Sequence, residues 1–317
     1  MNKSRADKDV LYMNKQRKYH QVLLLGNGLN RAFGAGDWSN LLKQIHNNPR
    51  VTYEQIRELP FPLQAVLATE DHVDVVCKDE SMKNQGVLDI DPLRKQMEAL
   101  LSIPFDHILT TNYTYEIERV ANTKVKPDGE YCKRLTRTTI KDMKAESKYL
   151  LRTYNEVSFN GYKHKIWHIH GENRKPQSMI LGHYAYGTLL SKYQEELKKR
   201  SNKQYLREQQ GKPPIMDSWI DAFIMGDVHV LGFGFDFSEM DLWWLLNRKK
   251  REKASHGNII FYSPIQGNEL LLAMLEAYGV KIEHLGFYSK PADYKAFYQS
   301  AINHISKSVS KNVQTCV

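Results

Sequence analysis

Four short segments of the 317-residue chain combine glycine, hydroxyl, carboxamide and imidazole groups that could bind an anion or transfer a proton. They lie at residues 26–28, 110–114, 168–171 and 232–235. Glycine lets backbone amides approach an anion closely, because no Cβ stands in the way. Histidine, with an ordinary pKa of about 6.5, can accept a proton at neutral pH. Together these residue types favour a site for a nucleotide with two phosphates.

The first segment belongs to residues 22–34, which read VLLLGNGLNRAFG. The four apolar residues predict a strand buried on both faces of a parallel sheet, and Gly26-Asn27-Gly28 predicts a tight turn. Asn30 then leads into a predicted helix, whose unpaired N–H groups and dipole could hold a diphosphate. The full G-x-G-x-x-G spacing is absent, because two residues separate Arg31 from Gly34. An ordinary tight turn explains the segment equally well.

Two further segments also follow predicted buried strands. Thr111 and Asn112 stand where the run 107–111 ends, and Gly232 and Gly234 close the run 228–235. Ligands of open parallel sheets bind at the carboxyl ends of the strands. If the strands are neighbours, these loops face one crevice, although turn geometry alone would also account for each glycine pair.

His170 precedes Gly171 at the end of a predicted hairpin arm, whose turn is Asn160-Gly161. It is a candidate general base, and a hydrogen-bonded structural histidine is the alternative. His168 lies two residues earlier and hence on the same strand face, so the two histidines could instead bind a metal. No cysteine or aspartate-rich partner has ligand spacing, and no metal is expected.

The elements that position these segments alternate between strand and helix along the chain. This pattern predicts an α/β, Rossmann-like fold with a mostly parallel sheet and helices on both faces. The predicted division is a polar leader at 1–19, a domain at 20–310 and a tail at 311–317. Insertions, helical or hairpin-like, are expected at about 122–165 and 184–213.

Local signals predict where three of the helices begin. Asp37 is a plausible N-cap for a helix over residues 38–46, and Pro92 occupies the first position of a helix over 92–101. Ser238 is a plausible N-cap for the helix that follows the strand at 228–235.

Composition limits the class of protein. Hydrophobic residues make up 41% and charged residues 26%, which is typical of a globular protein, and no apolar run approaches the roughly 20 residues of a membrane span. The charged N-terminus has no secretory h-region, and three scattered cysteines argue against a zinc ribbon or disulfides. These features predict a cytoplasmic protein.

The net charge of +9 attracts anions in general, including dinucleotides and nucleic acids. Local clusters of basic residues lie at 198–200 and 248–251, both in predicted helices. Solvated helix faces, or cations placed near a helix C-terminus, explain such clusters more simply than a nucleic-acid surface does.

The four segments together resemble the sirtuin family. Residues 26–30, GNGLN, resemble its glycine-rich NAD-binding loop, and residues 110–114 resemble the motif in which an asparagine follows a Thr-x pair. His170-Gly171 is similar to the catalytic His-Gly, and residues 232–235 fall where sirtuins carry a second glycine-rich NAD loop. The order and rough spacing match over residues 20–285.

The chain also departs from the sirtuin deacylases. It lacks their two zinc-binding cysteine pairs, and Thr114 stands where their motif has an aspartate. The chain is therefore more similar to the prokaryotic sirtuin-like NAD hydrolases, many of which act in antiphage defence. That resemblance implies NAD as substrate, no metal, and Asn112 and His170 as the catalytic residues. The residues it implies for NAD binding are Gly26, Asn27, Gly28, Asn30, Thr111, Thr114, Gly232, Gly234, Phe235, Tyr262 and Ser263.

A hydrolase that depletes NAD must be held inactive until it is triggered. The resemblance therefore implies a homo-oligomer, or a separate regulatory or sensor protein, with nucleic acid involved only indirectly and no membrane. Two alternatives remain open: an NAD- or ADP-ribose-binding module or zinc-free deacylase that does not hydrolyse NAD, and a nucleic-acid-associated protein that uses the +9 charge.

Overall fold

The computed structural model describes residues 19–70, 86–87, 89–125, 136–139, 149–210, 216–252, 257–264, 268–286 and 293–314. The strands are β1 (Gln21–Leu25), β2 (His107–Thr110), β3 (Thr136–Thr139), β4 (Thr153–Phe159), β5 (Tyr162–His168), β6 (Asp227–Leu231), β7 (Ile259–Ser263) and β8 (Lys281–His284). The helices are α1 (Gly28–Arg31), α2 (Trp38–Ile45), α3 (Tyr53–Ile56), α4 (Phe61–Thr69), α5 (Asp91–Leu101), α6 (Glu116–Ala121), α7 (His183–Gln209), α8 (Trp219–Met225), α9 (Met240–Arg251), α10 (Glu269–Ala277) and α11 (Tyr294–Gln314).

The strands form one sheet in the order β3-β4-β5-β2-β1-β6-β7-β8. The six strands from β5 to β8 in this order pair in parallel, and β3 and β4 add an antiparallel edge. From β1 the chain builds β2 and β5 on one side, and it later builds β6, β7 and β8 on the other. The direction of winding therefore reverses at β1, and a crevice for a ligand is expected outside the carboxyl ends of β1 and its neighbours.

Strand β1 is buried on both faces of the sheet. Leu23 and Leu25 pack with apolar residues of α5, α6 and α11, whereas Val22 and Leu24 pack with residues of α7, α8, α9 and α10. Helices thus cover both faces, and the prediction of a Rossmann-like α/β fold with a mostly parallel sheet is confirmed.

Short-range sequence signals identify several boundaries correctly. The Asp37 side chain accepts a hydrogen bond from the Asn40 amide at 2.7 Å and caps α2. The hairpin between β4 and β5 turns at Asn160 and Gly161, whose φ angles are 45° and 85°. Only glycine and a few polar residues adopt such angles readily, which is why Asn-Gly marks this turn.

The prediction that Ser238 caps α9 is wrong. The Ser238 hydroxyl donates to Asp236 Oδ1 at 2.6 Å, and the helix begins at Met240 with Glu239 in the capping position. Asp236 Oδ1 also accepts the Ser238 amide at 2.9 Å, so Ser238 belongs to a local turn that precedes the helix.

Parts of the expected insertions belong to the body of the fold. The first four residues of β5 fall in the expected insertion at 122–165, and this strand pairs in parallel with β2 inside the sheet. The long helix α7 buries Tyr193 and Leu197 in the core. α11 continues to Gln314 into the expected tail, while residues 1–18, 126–135, 140–148, 211–215 and 315–317 of the predicted leader, insertions and tail lie outside the described residues.

Both basic clusters contribute a side chain to the interior. The Lys249 ammonium donates to the carbonyl oxygens of Phe223, Ile224 and Gly226 at 2.6–3.1 Å, where α8 ends. Arg200 pairs with Asp221 at 2.9 Å. A cation at the free carbonyls of a helix end is favourable, so part of the positive charge is used in folding.

Among the described residues, no helix has both the length and the apolar character needed to cross a membrane.

Candidate functional site

Two adjoining depressions lie at the carboxyl ends of β1, β2 and β6. The first, which we call the His170 cavity, has a volume of about 180 Å³. It is lined by Asn27, Gly36, Asp37, Trp38, Leu41, Phe61, Pro62, Thr111, Asn112, Tyr113, Thr114, His170, Ile180, Leu181, Tyr186 and Glu239. Apolar residues of α2 and α4 thus face a polar wall made by the ends of β2 and β5.

The second depression, which we call the Gly232 groove, has a volume of about 810 Å³. It is lined by Asn27, Gly28, Arg31, Ala32, Phe61, Thr111, Gly232, Phe233, Gly234, Phe235, Asp236, Glu239, Phe261, Tyr262, Pro264, Tyr294, Phe297 and Tyr298. The volume lies in the range of pockets for small molecules and cofactors. The groove and the cavity share Asn27, Phe61, Thr111 and Glu239, so one ligand could occupy both.

The glycines of the two loops pack against one another. A Cβ at Gly26 would overlap the carbonyl oxygen of Gly232, and Gly232 itself has a φ of +67°. The amide of Gly26 donates to Leu231 O at 3.0 Å, and that of Gly28 donates to Gly232 O at 2.8 Å. These two amides are therefore engaged within the protein. The Arg31 side chain, which lines the groove, offers an alternative partner for an anion.

Asn112 lies directly after β2 and lines the His170 cavity. Its amide donates to Thr110 Oγ1 at 3.1 Å, and its carbonyl oxygen binds His168 Nδ1 at 2.9 Å. The Asn112 backbone is thus held from both sides at the edge of the cavity.

His170 lies two residues beyond β5 and lines the same cavity. Its Nε2 is 3.0 Å from Asp241 Oδ2, and its Nδ1 is 3.9 Å from Glu239 Oε2. Asp241 is fully buried in the first turn of α9, and Glu239 directly precedes that helix. One nitrogen of the imidazole is thus anchored, while the other faces a second carboxylate at the cavity.

Two tyrosines of α7 complete this network. Tyr186 donates to Glu239 Oε2 at 2.9 Å, and Tyr193 donates to Asp241 Oδ2 at 3.0 Å. Burial raises the pKa of both phenols, and the neighbouring carboxylates raise it further. The phenols therefore remain protonated and act as donors. Tyr186 also packs edge-on against the His170 ring, with 5.8 Å between ring centroids.

The carboxylates govern the protonation of His170. Burial by itself would lower the pKa of the imidazole, but the attraction of Asp241 and Glu239 raises it to about 9. Burial also raises the pKa of Glu239, against the opposing attraction of His170. The His170 imidazole thus lies between two carboxylates, each of which favours its protonated form.

His168 occupies a different environment. Its Nδ1 binds Asn112 O at 2.9 Å and its Nε2 binds Glu118 Oε1 at 3.0 Å. Both partners only accept hydrogen bonds, so both ring nitrogens carry protons. Burial opposes this charge, but Glu118 raises the pKa of His168 to about 9. The two histidines thus bind different carboxylates and do not form the shared metal site considered above.

A different set of residues has the spacing of a metal site. Ligand atoms of His170, Glu239 and Asp241 all lie within 4.8 Å of one another. Nitrogen and carboxylate oxygen are suitable ligands for a transition metal. Glu239 Oε2 and Asp241 Oδ2, however, already accept tyrosine hydroxyls, and His170 Nε2 donates to Asp241 Oδ2. Asp241 Oδ1 is buried and has no hydrogen-bond partner among the described residues.

The predicted residues divide into three groups by position. Those that line the His170 cavity are Asn27, Thr111, Asn112, Thr114 and His170. Those that line the Gly232 groove are Asn27, Gly28, Thr111, Gly232, Gly234, Phe235 and Tyr262. Gly26, Asn30 and Ser263 line neither.

Ser263 and Tyr262 make hydrogen bonds within the protein, whereas the side chain of Asn30 makes none among the described residues. Ser263 donates its hydroxyl to Pro264 O at 3.0 Å, and the Tyr262 hydroxyl is 2.8 Å from His229 Nδ1. Asn30 is buried, and its side-chain atoms have no hydrogen-bond partner among the described residues.

Sequence reasoning missed the acidic and phenolic part of the network. Glu239 and Asp241 follow the carboxyl end of a predicted strand, which is where ligand-binding side chains gather. Tyr186 and Tyr193 are seven residues apart and hence lie on one helix face. These signals were present, but nothing in the sequence joins α7 to α9.

No protein-family model matches the chain, and no curated protein matches its sequence significantly.

Proposed function

We propose that the protein is an NAD hydrolase that cleaves the bond between nicotinamide and ribose and releases nicotinamide and ADP-ribose. One observation carries this proposal: Asn112 and His170 line the same cavity, and that cavity adjoins a groove large enough for the rest of a dinucleotide. The groove lies where the winding of the sheet reverses, a favoured location for nucleotides.

In this proposal, the diphosphate and adenosine lie in the Gly232 groove near Arg31, and the nicotinamide riboside enters the His170 cavity. The bond from ribose C1′ to nitrogen breaks, and its electron pair goes to the pyridinium ring, which leaves as neutral nicotinamide. The ribose then passes through an oxocarbenium-like state, as in glycoside hydrolysis. The carboxylates of Asp241 and Glu239 beside His170 favour this cation.

Asn112 orients the attacking water, or a ribose hydroxyl, through its carboxamide. Water adds to C1′ and its proton passes to His170 and then to solvent, so the reaction yields nicotinamide, ADP-ribose and one proton. His170 is largely protonated in the unliganded protein, since its pKa is raised to about 9. A pyridinium bound in the cavity disfavours a second cation and lowers that pKa, which prepares the imidazole to accept a proton.

Nicotinamide release by purified protein tests this proposal. We expect His170→Ala and Asn112→Ala each to lower turnover by about 10²–10⁴-fold, the range for loss of a positioned proton-transfer group. His284→Ala, at the exposed end of β8, serves as the control and retains full turnover. Near-normal turnover in both cavity variants, with native circular dichroism, would falsify the assignment.

The raised pKa of His170 also favours a second candidate function, binding of NAD or ADP-ribose without hydrolysis. A permanently protonated imidazole cannot act as a base but can still bind ligand oxygens. Calorimetric binding of ADP-ribose together with absence of nicotinamide release would support this candidate.

We further propose that the hydrolase is a defence effector that depletes NAD and is held inactive until triggered. Control of this kind requires an oligomer or a regulatory protein. The exposed face of α7 is a candidate contact surface, whereas most of residues 123–146 lies outside the described residues.

A further inference from the structure

Glu239 stands where the His170 cavity and the Gly232 groove meet. Four residues line both depressions, namely Asn27, Phe61, Thr111 and Glu239. Glu239 is the ionisable residue among these four. A ligand that extends from the groove into the cavity must therefore pass this carboxylate.

The carboxylate is fixed in place but incompletely satisfied. Tyr186 donates to its Oε2 at 2.9 Å, and the Glu239 amide donates to Asp236 O at 3.0 Å. Oε1 accepts no hydrogen bond from the residues that the structure describes. The Glu239 side chain is 18% exposed, whereas those of His170 and Asp241 are 3% and 0% exposed. Glu239 is thus the member of the network that can contact a ligand most directly.

The position of Glu239 between the cavity and the groove determines which group of a ligand it can bind. A dinucleotide that places its phosphates in the groove and its nicotinamide in the cavity leaves the ribose in between. The two neighbouring hydroxyls of a ribose are hydrogen-bond donors, and a carboxylate is a strong acceptor for them. A phosphate at this point would be repelled by the same charge.

On the basis of the proposed function, we infer that Glu239 binds the vicinal diol of the ribose that carries nicotinamide. Its free Oε1 accepts one hydroxyl, and Oε2, held by Tyr186, lies beside it for the second. The contact fixes ribose C1′ relative to Asn112 and His170. Glu239 also holds the substrate close to the carboxylates beside which the ribosyl cation develops.

Calorimetry with ADP-ribose and ADP tests this inference without relying on turnover. ADP-ribose carries the second ribose and ADP lacks it, while both carry the adenosine ribose. We expect Glu239→Gln to weaken ADP-ribose binding by about 10- to 30-fold, because it loses a charge-assisted hydrogen bond. Binding of ADP is expected to change by less than about twofold. Glutamine retains the side-chain length and an acceptor for Tyr186.

Glu276→Gln is the matched control. Glu276 is exposed on α10 and lines neither the cavity nor the groove. This variant makes the same chemical change away from both depressions and is expected to bind both nucleotides like the wild type. Glu239→Asp, which shortens the side chain by one methylene, provides a second variant if the glutamine variant has a lowered melting temperature.

Several outcomes overturn the inference. Wild-type affinity of Glu239→Gln for ADP-ribose contradicts it, and an equal loss for ADP places Glu239 at the adenosine ribose instead. If EDTA added to the wild type reproduces the loss, a metal on the cluster holds the diol. If the wild type binds neither nucleotide, the inference and the proposed function both fail.

The two proposals can also fail separately. ADP-ribose binding that depends on Glu239, without nicotinamide release, supports the diol contact and contradicts the hydrolase. Nicotinamide release together with ADP-ribose binding that is indifferent to Glu239 supports the hydrolase and contradicts the diol contact.

Discussion

His168 and His170 lie two residues apart, and both are buried beside carboxylates that raise their pKa to about 9. The surroundings of the two rings nevertheless differ. Both nitrogens of His168 have partners, Asn112 O and Glu118, and this ring lines neither depression. His170 has one anchored nitrogen and one that faces Glu239 at the cavity.

The difference shows that burial and a shifted pKa do not by themselves mark a functional histidine. Structural ion pairs perturb pKa values as strongly as active sites do. Access to a cavity, with hydrogen-bonding capacity left over, distinguishes the two rings. His168 supports the backbone of Asn112, whereas His170 can meet a ligand.

The largest expected effect is on His168→Ala, which should lose stability but keep its activity. His168→Ala leaves the Glu118 carboxylate buried without its cation, which costs about 3–5 kcal/mol of unfolding free energy. Urea unfolding measures this loss, and the fully folded variant should retain nicotinamide release to within about tenfold, far above His170→Ala.

Lys192→Ala is the control for this measurement. Lys192 pairs with Glu195 at 3.1 Å on the exposed surface of α7, so its loss should change stability by no more than about 0.5 kcal/mol. A loss below 1 kcal/mol for His168→Ala would contradict the structural role that we assign to this pair.

The second expected effect is that stability and turnover respond to pH in opposite directions. Each histidine has a folded pKa of about 9, above the ordinary value of about 6.5. The stabilisation that comes from this raised pKa is fully present below about pH 6.5 and is lost as the pH rises through about 9. Each ring should therefore lose about 2 kcal/mol between pH 7 and 9.5, which urea titrations at the two pH values measure.

Turnover requires neutral His170 and should instead rise with pH towards about 9. Asp241→Asn removes one of the carboxylates that raise this pKa, so the midpoint of its kcat/KM profile should move to lower pH. His168→Gln should reduce the dependence of the unfolding free energy on pH and leave the midpoint of the kcat/KM profile unchanged. If each variant changed both the pH dependence of stability and the midpoint of the kcat/KM profile, the two rings would titrate as one unit.

The smallest expected effect concerns metal ions. Because tyrosine hydroxyls and the His170 imidazole already hydrogen-bond the two carboxylates, we expect EDTA to change nicotinamide release by less than about twofold. Dialysis against EDTA, followed by addition of Mn²⁺ or Zn²⁺, tests this. If activity disappears on dialysis and returns with one of these ions, the cluster of His170, Glu239 and Asp241 binds a metal and is not joined by protons alone.

Much of the fold could be predicted because its signals are local. The apolar run of β1, the Asp37 cap and the Asn160-Gly161 turn each depend on neighbouring residues, and all three are confirmed. The sheet order could not be predicted, since it depends on pairing between distant segments. The predicted insertion at about 122–165 therefore included the first four residues of β5, although this strand lies beside β2 in the sheet.

The sequence by itself determined the α/β class, because hydrophobic periodicity depends on neighbouring residues. Its short motifs, through the resemblance they carry, suggested Asn112 and His170 as candidates. The tertiary structure alone decided that Asp241 and Glu239 of the α9 region meet Tyr193 and Tyr186 of α7 around His170. It also decided that the Gly26 and Gly28 amides have protein partners. Such contacts join segments tens of residues apart, and packing of helices on the sheet brings those segments together.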